Sequence, residues 1–168
     1  LASAFDAYHP GGLAPRALPG AESRPLYGAL KRLLDELAAM VGLIVTAPLW
    51  LLIAVAIKLD STGPVFFVQE RVGRHGRLFR LLKFRTMYGH APRYAVTVRR
   101  SGDPRVTAVG RLLRRTSLDE LPQLLNILKG EMSLVGPRPE MPFMMNRNTP
   151  EYRTRLMVLP GLTGLWQA

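Results

Sequence analysis

The sequence contains no cysteine and only three histidines, His9, His75 and His90. The absence of cysteine excludes a disulfide framework and a thiol nucleophile. The histidines are scattered and lack the spacing of metal ligands, which argues against a histidine-based zinc site. Acidic residues are also scarce, since 12 Asp and Glu stand against 23 Lys and Arg. The 168 residues suffice for one domain with a modest core.

The excess positive charge is confined to the middle of the chain. Residues 58–115 contain 14 Lys and Arg but only 3 Asp and Glu, whereas the remainder is balanced. Such a block favours an anionic partner, which could be phospholipid headgroups, a nucleotide-linked substrate or nucleic acid. Aromatic residues are not interleaved with these cations as a stacking platform for single-stranded nucleic acid requires. We therefore expect no nucleic-acid partner.

An uncharged apolar run, residues 37–57, precedes the basic block. As a helix it would be about 30 Å long, enough to cross a bilayer core. Pro48 lies near its middle and favours a kink, and basic residues flank both ends, whereas a spanning helix normally has one basic side. These features favour a membrane-inserted re-entrant helix-break-helix over residues 26–58, with both ends on the cytoplasmic face. A kinked spanning helix and a buried core helix are the alternatives.

The remaining segments predict an α+β fold that is mostly helical. Residues 1–25 are rich in Pro, Gly and Ala and predict an arm or linker. Residues 65–84 place β-branched and aromatic residues around a Gly-Arg-His-Gly turn, which predicts a short β-hairpin. Helices are predicted over residues 104–115 and 117–129. The first of these is amphipathic and suits a membrane interface, although a solvated helix packed on a small core fits the pattern equally well.

Two adjacent carboxylates, Asp119 and Glu120, follow the arginine-rich helix. Ser117 and Glu120 match a capping box, so a helix cap is the favoured interpretation on pattern alone. If Asp119 is the N-cap instead, Pro122 falls in the first turn, where it is tolerated, and Asp119 lies at an exposed helix mouth that favours a bound phosphate. An aspartate can also act as a covalent nucleophile towards phosphoryl groups, and a neighbouring glutamate can hold Mg²⁺.

Arg138 stands between Pro137 and Pro139, which restrict its backbone. A guanidinium held in this way can bind a phosphate bidentately. An ordinary surface-loop arginine is the alternative.

Four segments together resemble the bacterial sugar transferases, a family of small monotopic phosphoglycosyl transferases. The resemblance covers residues 28–168. Its motifs are KRLLDELAAMVGLIVTAPLW, GPVFFVQERVGRHGRLFRLLKFRTM, DPRVTAVGRLLRRTSLDELPQLLNILKGEMSLVGPRPE and PGLTGLWQA. Their order and density make the resemblance highly specific.

The resemblance implies a reaction at the cytoplasmic face of the bacterial inner membrane. A sugar-1-phosphate would pass from a UDP-sugar to a polyprenyl phosphate, the first lipid-linked step of exopolysaccharide or other surface glycan synthesis. Asp119 would attack the β-phosphate, release UMP and form a phosphosugar-enzyme intermediate, while Glu120, with Asp119, would hold Mg²⁺. Phosphate contacts are implied or suggested at four basic positions: Arg114, Arg138, Lys83 and Arg85.

The chain departs from the family in two places. It has Ala47-Pro48 where many members have Ser-Pro at the membrane break, and it ends at TGLWQA, where members continue. We therefore expect residues 59–168 to form a small globular catalytic core that is truncated at its C-terminus. Membrane phospholipids are expected partners, and a homodimer is left open. The competing hypothesis is a non-catalytic, membrane-anchored protein that binds anionic lipid or nucleic acid through the basic block.

Overall fold

A computed structural model describes residues 25–89, 103–144 and 154–164, so the predicted N-terminal arm lies almost wholly outside the described residues. About half of the described residues are helical, and the mixture of helices and strands confirms an α+β fold. The main elements are α1 (Pro25–Asp60), β1 (Phe66–Val72), β2 (Leu78–Phe84), α2 (Ala108–Arg115), α3 (Gln123–Leu128), β3 (Ser133–Val135) and β4 (Gly161–Thr163). Single 3₁₀ turns cover Arg74–Gly76, Leu118–Glu120 and Pro142–Met144.

Helix α1 continues through Pro48 without interruption, where the sequence predicted helix-break-helix. A proline removes one backbone hydrogen bond and bends a helix without necessarily ending it. The Thr46 hydroxyl donates to the carbonyl oxygen of Gly42 at 2.6 Å and accepts from Trp50 Nε1 at 3.1 Å, so side-chain bonds accompany the proline. Helix α1 is long and apolar enough to cross a membrane, and many of its large apolar side chains are exposed.

The N-terminal half of α1 is hydrogen-bonded to α3 and β3. The Arg32 guanidinium donates to the carbonyl oxygens of Ile127 and Leu128 at 2.8 and 3.1 Å, which satisfies free acceptors at the C-terminus of α3. Buried Asp35 accepts from Ser133 Oγ at 2.7 Å and from the amide of Leu134.

The C-terminal half of α1 packs in a second group of buried residues. Ile53 and Ile57 are buried with Phe84 and Leu113, which come from β2 and α2. The Asp60 carboxylate accepts from the amide of Val109 at 2.9 Å, at the start of α2. Both halves of α1 therefore contact elements that follow it in the chain.

The β-hairpin confirms the prediction. Strands β1 and β2 pair antiparallel from Phe66↔Phe84 to Val72↔Leu78, and His75 turns the chain with a φ of 59°. Because side chains alternate along a strand, Lys83 shares a face of β2 with the buried residues Phe79 and Leu81.

Helices α2 and α3 are shorter than predicted. Thr107 caps α2, so this helix begins at Ala108 and not at position 104. The predicted helix over 117–129 divides into the 3₁₀ turn and α3, with Pro122, which has no N–H, between them, and Ser117 precedes the turn in a left-handed conformation with a φ of 56°. Ser117 makes no side-chain capping bond there, so the predicted capping box is wrong. Pro122 directly precedes the first residue of α3, where its missing N–H is tolerated.

A parallel pairing that the sequence did not predict holds the loop after β3. Strands β3 and β4 pair at Ser133↔Gly161 and Val135↔Thr163. The amide of Gly161 also donates to the carbonyl oxygen of Pro137 at 2.9 Å. The segment Pro137–Pro139 therefore leaves the short sheet from a fixed base.

Candidate active site

Four of the predicted site residues meet around the 3₁₀ turn that precedes α3. Lys83 Nζ lies 2.6 Å from Glu120 Oε1 and 3.9 Å from Asp119 Oδ2. Arg138 Nη2 approaches the same Glu120 oxygen at 3.3 Å and is 56% exposed at its side chain. Asp119 itself is buried, with 8% exposure, so the prediction of an exposed helix mouth is wrong. The tight turn directs Asp119 inward and leaves Glu120 between two cations.

Arg114 approaches the group from α2. Its Nε donates to Thr86 Oγ1 at 2.9 Å, a bond that does not engage its two terminal nitrogens. Gly110, one turn earlier on α2, lies so close to the carbonyl of Thr86 that a Cβ would overlap it. This close approach holds α2 against the end of the hairpin and keeps the Arg114 charge near Asp119.

The structure does not bring Arg85 to the carboxylates. Its guanidinium donates to the carbonyl oxygens of Thr62 and Ser61 at 2.6 and 2.7 Å, and weakly to that of Ile57. Buried Arg85 therefore closes the C-terminal end of α1 and the turn after it. Although Arg85 follows the site residue Lys83 by two positions, these contacts argue against the phosphate-binding role predicted for it.

The environment of Asp119 raises the pKa of its carboxyl above the ordinary value of 3.8. Burial is the main cause, because it disfavours the charged form. The positive charge of Lys83 lowers this pKa, the negative charge of Glu120 raises it, and Arg114 lowers it. The ionised carboxylate at this position therefore depends on its neighbouring cations.

We expect Lys83→Met to move the acidic limb of the activity profile to higher pH. Removing the Lys83 charge removes the largest influence that lowers the pKa of Asp119, so the carboxyl stays protonated to a higher pH. The measurement is kcat/KM against pH. Lys129→Met, which replaces an exposed lysine at the end of α3, is the matched control. An unchanged acidic limb in Lys83→Met would contradict an ionised Asp119 in the reaction.

The two carboxylates could hold a metal ion only with help from another ligand. Among the described residues, no group of three or more acidic, histidine or cysteine side chains is arranged to hold a metal. Mg²⁺ commonly uses one or two carboxylates, with the remaining positions taken by water and substrate phosphates. The donor set of Asp119 and Glu120 fits that pattern, provided that Lys83 and Arg138 share Glu120 with the ion.

Three residues around the site were missed by the sequence reasoning. Arg71 and Gln69 lie on one face of β1, and the guanidinium of Arg71 contacts the Pro-Arg-Pro segment. Fully buried Asn126 on α3 accepts from the amide of Leu82 at 3.1 Å and so fixes the strand that carries Lys83. The period-two spacing of Gln69 and Arg71 was a usable signal, because it places both side chains on the same face.

Several cations of the basic block have partners within the chain. Arg85 closes the end of α1, Arg71 donates to Pro139, and Arg105 forms an ion pair with Asp103 at 2.7 Å. These three side chains are committed to the fold and to the site, whereas other described cations of the block are exposed.

The chain was compared with known families and curated proteins. The family model described as bacterial sugar transferase matches residues 26–168. UDP-glucose:undecaprenyl-phosphate glucose-1-phosphate transferase of Caulobacter vibrioides is 51% identical over 140 residues, covering 82% of this chain and 52% of that protein. UDP-N-acetylgalactosamine-undecaprenyl-phosphate N-acetylgalactosaminephosphotransferase of Aeromonas hydrophila is 46% identical over 143 residues, covering 83% and 34%.

A third relative is of more similar length. Exopolysaccharide production protein ExoY of Rhizobium meliloti is 43% identical over 159 residues, which cover 86% of this chain and 70% of that protein. The chain spans about half of the Caulobacter relative and about a third of the Aeromonas relative. Since the family model covers most of the chain and includes the carboxylate pair and its cations, the chain belongs to the bacterial sugar transferase family.

Proposed function

We propose that this chain is the catalytic part of a phosphoglycosyl transferase. It moves a sugar-1-phosphate from a UDP-sugar to a polyprenyl phosphate, and it starts the synthesis of an exopolysaccharide or another surface glycan. The observation that carries the proposal is the buried carboxylate of Asp119 beside Lys83 and Arg114, next to Glu120 and Arg138. The names of the relatives support the class of reaction.

Asp119 is the proposed nucleophile. One of its carboxylate oxygens attacks the β-phosphorus of the UDP-sugar, the bond from that phosphorus to the bridging oxygen breaks, and UMP leaves. A phosphate oxygen of the polyprenyl phosphate then attacks the same phosphorus. The bond to Asp119 breaks, and the polyprenyl-diphosphate sugar is released with the carboxylate restored.

The surrounding cations bind and orient the diphosphate. Lys83 and Arg138 share the Glu120 carboxylate, so Glu120 holds both positive charges near the nucleophile. Arg114 adds a third positive charge from α2. Fixed charges of this kind stabilise negative charge that develops on phosphoryl oxygens, because they need no reorganisation during the reaction. UMP, the leaving group, is itself an anion and gains from the same charges.

We also propose that Glu120, with Asp119, holds Mg²⁺ together with the donor diphosphate. The ion would supply additional positive charge at the phosphoryl oxygens. Glu120 is the better placed of the two, because its carboxylate is less buried than that of Asp119.

The membrane arrangement that we propose is re-entrant, at the cytoplasmic face of the inner membrane. Both halves of α1 contact the part of the chain that follows it, through Arg32 and Asp35 in one half and Ile57 and Asp60 in the other, which supports placing both ends of the helix at one membrane face. Exposed apolar residues between these contacts would lie in the lipid, with headgroups near the basic block.

A test without acceptor separates the covalent mechanism from direct transfer. The protein in lipid vesicles is mixed with a panel containing UDP-glucose, UDP-galactose and UDP-N-acetylgalactosamine, and UMP is measured. With the preferred donor we expect a burst of about one UMP per active site and a protein mass increased by one sugar phosphate. Turnover should follow when polyprenyl phosphate is added. UMP release that always requires the acceptor, without a mass increase, would overturn the aspartyl intermediate.

A further inference from the structure

Arg71 is a half-buried arginine beside the site to which the reaction as described gives no role. It lines the same cleft as Lys83, Glu120 and Arg138. Its Nη1 donates to the carbonyl oxygen of Pro139 at 3.2 Å, one residue after Arg138. Arg71 therefore contacts the backbone that carries the exposed arginine of the site.

The segment around Arg138 is fixed from two directions. On one side, the amide of Gly161 in β4 donates to the carbonyl oxygen of Pro137 at 2.9 Å. On the other, the amide of Val72 donates to the carbonyl oxygen of Glu140 at 3.0 Å, directly beside the bond from Arg71. Of these two bonds, the one from Val72 comes from the backbone, whereas the one from Arg71 comes from a side chain and reaches the residue next to Arg138.

The guanidinium of Arg71 is itself oriented by its own strand. Its Nη2 donates to Gln69 Oε1 at 2.7 Å, two residues earlier on the same face of β1. Within the part of the chain that the structure describes, its buried Nε has no hydrogen-bond partner. A planar guanidinium can satisfy Gln69 and Pro139 at the same time, whereas the single ammonium of a lysine has no such fork.

Charges of both signs lie around Arg71. Burial lowers the pKa of Arg71, and the positive charge of Arg138 lowers it further, while Glu140 and Glu120 raise it. Two guanidinium groups near one another repel, and a bound diphosphate would relieve that repulsion.

We propose that Arg71 is a positioning residue that holds Arg138 towards the diphosphate of the donor. Its contact with Pro139 sets the backbone of the Pro-Arg-Pro segment, and its charge disfavours any movement of the Arg138 side chain towards β1. This inference rests on the proposed function, because it concerns how Arg138 is positioned to bind the donor diphosphate.

A double-mutant cycle in the full chain tests the proposal. Arg71→Met, Arg138→Met and the double variant are compared by UMP release, with Arg80→Met, an exposed arginine on β2, as the matched control. We expect Arg71→Met to raise KM for the UDP-sugar about tenfold and to change kcat much less. Because Arg71 acts through Arg138, the double variant should be no worse than Arg138→Met alone, within a factor of about two. Losses that multiply in the double variant would overturn the proposal.

Arg71→Lys gives a second test that keeps the charge and most of the side-chain stem. It should fold as the parent does and yet reproduce the raised KM, because lysine lacks the fork that joins Gln69 to Pro139. Full rescue by lysine would show that charge alone suffices and would overturn the positioning role.

Binding of UDP, followed as a thermal shift, repeats the cycle without catalysis. If the parent chain releases no UMP from any donor, the proposed function fails, but the UDP cycle still measures the coupling of Arg71 to Arg138. If the parent chain is active and the two losses multiply, only the role of Arg71 fails.

Discussion

Asp119→Asn is expected to reduce UMP release at least about 1,000-fold while the protein stays folded. The amide has nearly the shape of the carboxylate but cannot attack the β-phosphorus, so both the burst without acceptor and the turnover with acceptor should disappear. The mass increase that marks the phosphosugar intermediate should be absent from this variant. UMP release and the intact protein mass are the two measurements.

Stability distinguishes loss of the nucleophile from loss of the fold. Burial raises the pKa of Asp119 above its ordinary value of 3.8, so the native state binds this proton more tightly than the unfolded state does. The penalty is absent well below that ordinary value, where both states are protonated, and it grows as the pH rises through the native pKa. The uncharged amide avoids this penalty. We therefore expect Asp119→Asn to unfold at the same temperature as the parent at neutral pH, or at a higher one.

Glu70→Gln makes the same chemical change at a half-buried carboxylate on β1 and serves as the control. It should keep turnover within about a factor of two, because surface substitutions away from a site usually have small effects. Undiminished turnover in Asp119→Asn would exclude Asp119 as the nucleophile. A marked fall in its unfolding temperature would instead contradict the argument that the buried charge destabilises the fold.

Local patterns were enough to predict the hairpin and the apolar helix. The run from Val65 to Phe84 combines β-branched and aromatic residues with a turn, and the observed register follows that pattern. The apolar run before the basic block became α1, with bounds within two residues of those predicted. The packing of α1 on the rest of the chain was less predictable, because it depends on contacts that residues such as Arg32 and Asp60 make far along the sequence.

The site was only partly predictable, because it too depends on contacts between residues that are far apart in the sequence. The grouping of Lys83 with the Asp119-Glu120 turn and Arg138 agrees with the residues that the family resemblance marked. The left-handed conformation of Ser117, in which its side chain makes no capping bond, has no local signal, since serine rarely adopts a positive φ. Arg85 lies away from the carboxylates, where its guanidinium donates to the carbonyl oxygens of Thr62 and Ser61, contacts that its position in the motif did not predict.

The parallel pairing of β3 with β4 was the least predictable part of the fold. Each strand has only three residues, and a long stretch of chain separates the two strands. Where the two strands pair, the backbones of Gly136 and Gly161 are in close contact. A Cβ on Gly161 would lie 2.6 Å from the Cα and the carbonyl oxygen of Gly136 and would overlap its amide nitrogen. No side-chain movement can relieve this contact, because the neighbouring atoms are backbone.

Gly161→Ala is therefore expected to destabilise the protein by about 3 kcal/mol, at the upper end for an added methyl group in a packed site. The added methyl would push β4 away from the segment that leads into the Pro-Arg-Pro loop. Because a displacement of about 1 Å in a positioning group can cost about 100-fold in rate, turnover should fall at least that far in the fraction that remains folded. Thermal unfolding and UMP release, measured on the same preparation, provide both values.

Gly28→Ala is the matched control, because it adds the same methyl group to α1 at a position with nothing within 4 Å. Alanine is a better helix former than glycine, so this variant should be neutral or more stable by about 0.5–1 kcal/mol, with unchanged turnover. The two variants should thus differ in sign as well as size. Parent-like unfolding and turnover in Gly161→Ala would mean that the close contact between Gly136 and Gly161 does not set the position of Arg138. That result would contradict the argument that β4 and β1 together fix the segment that carries Arg138.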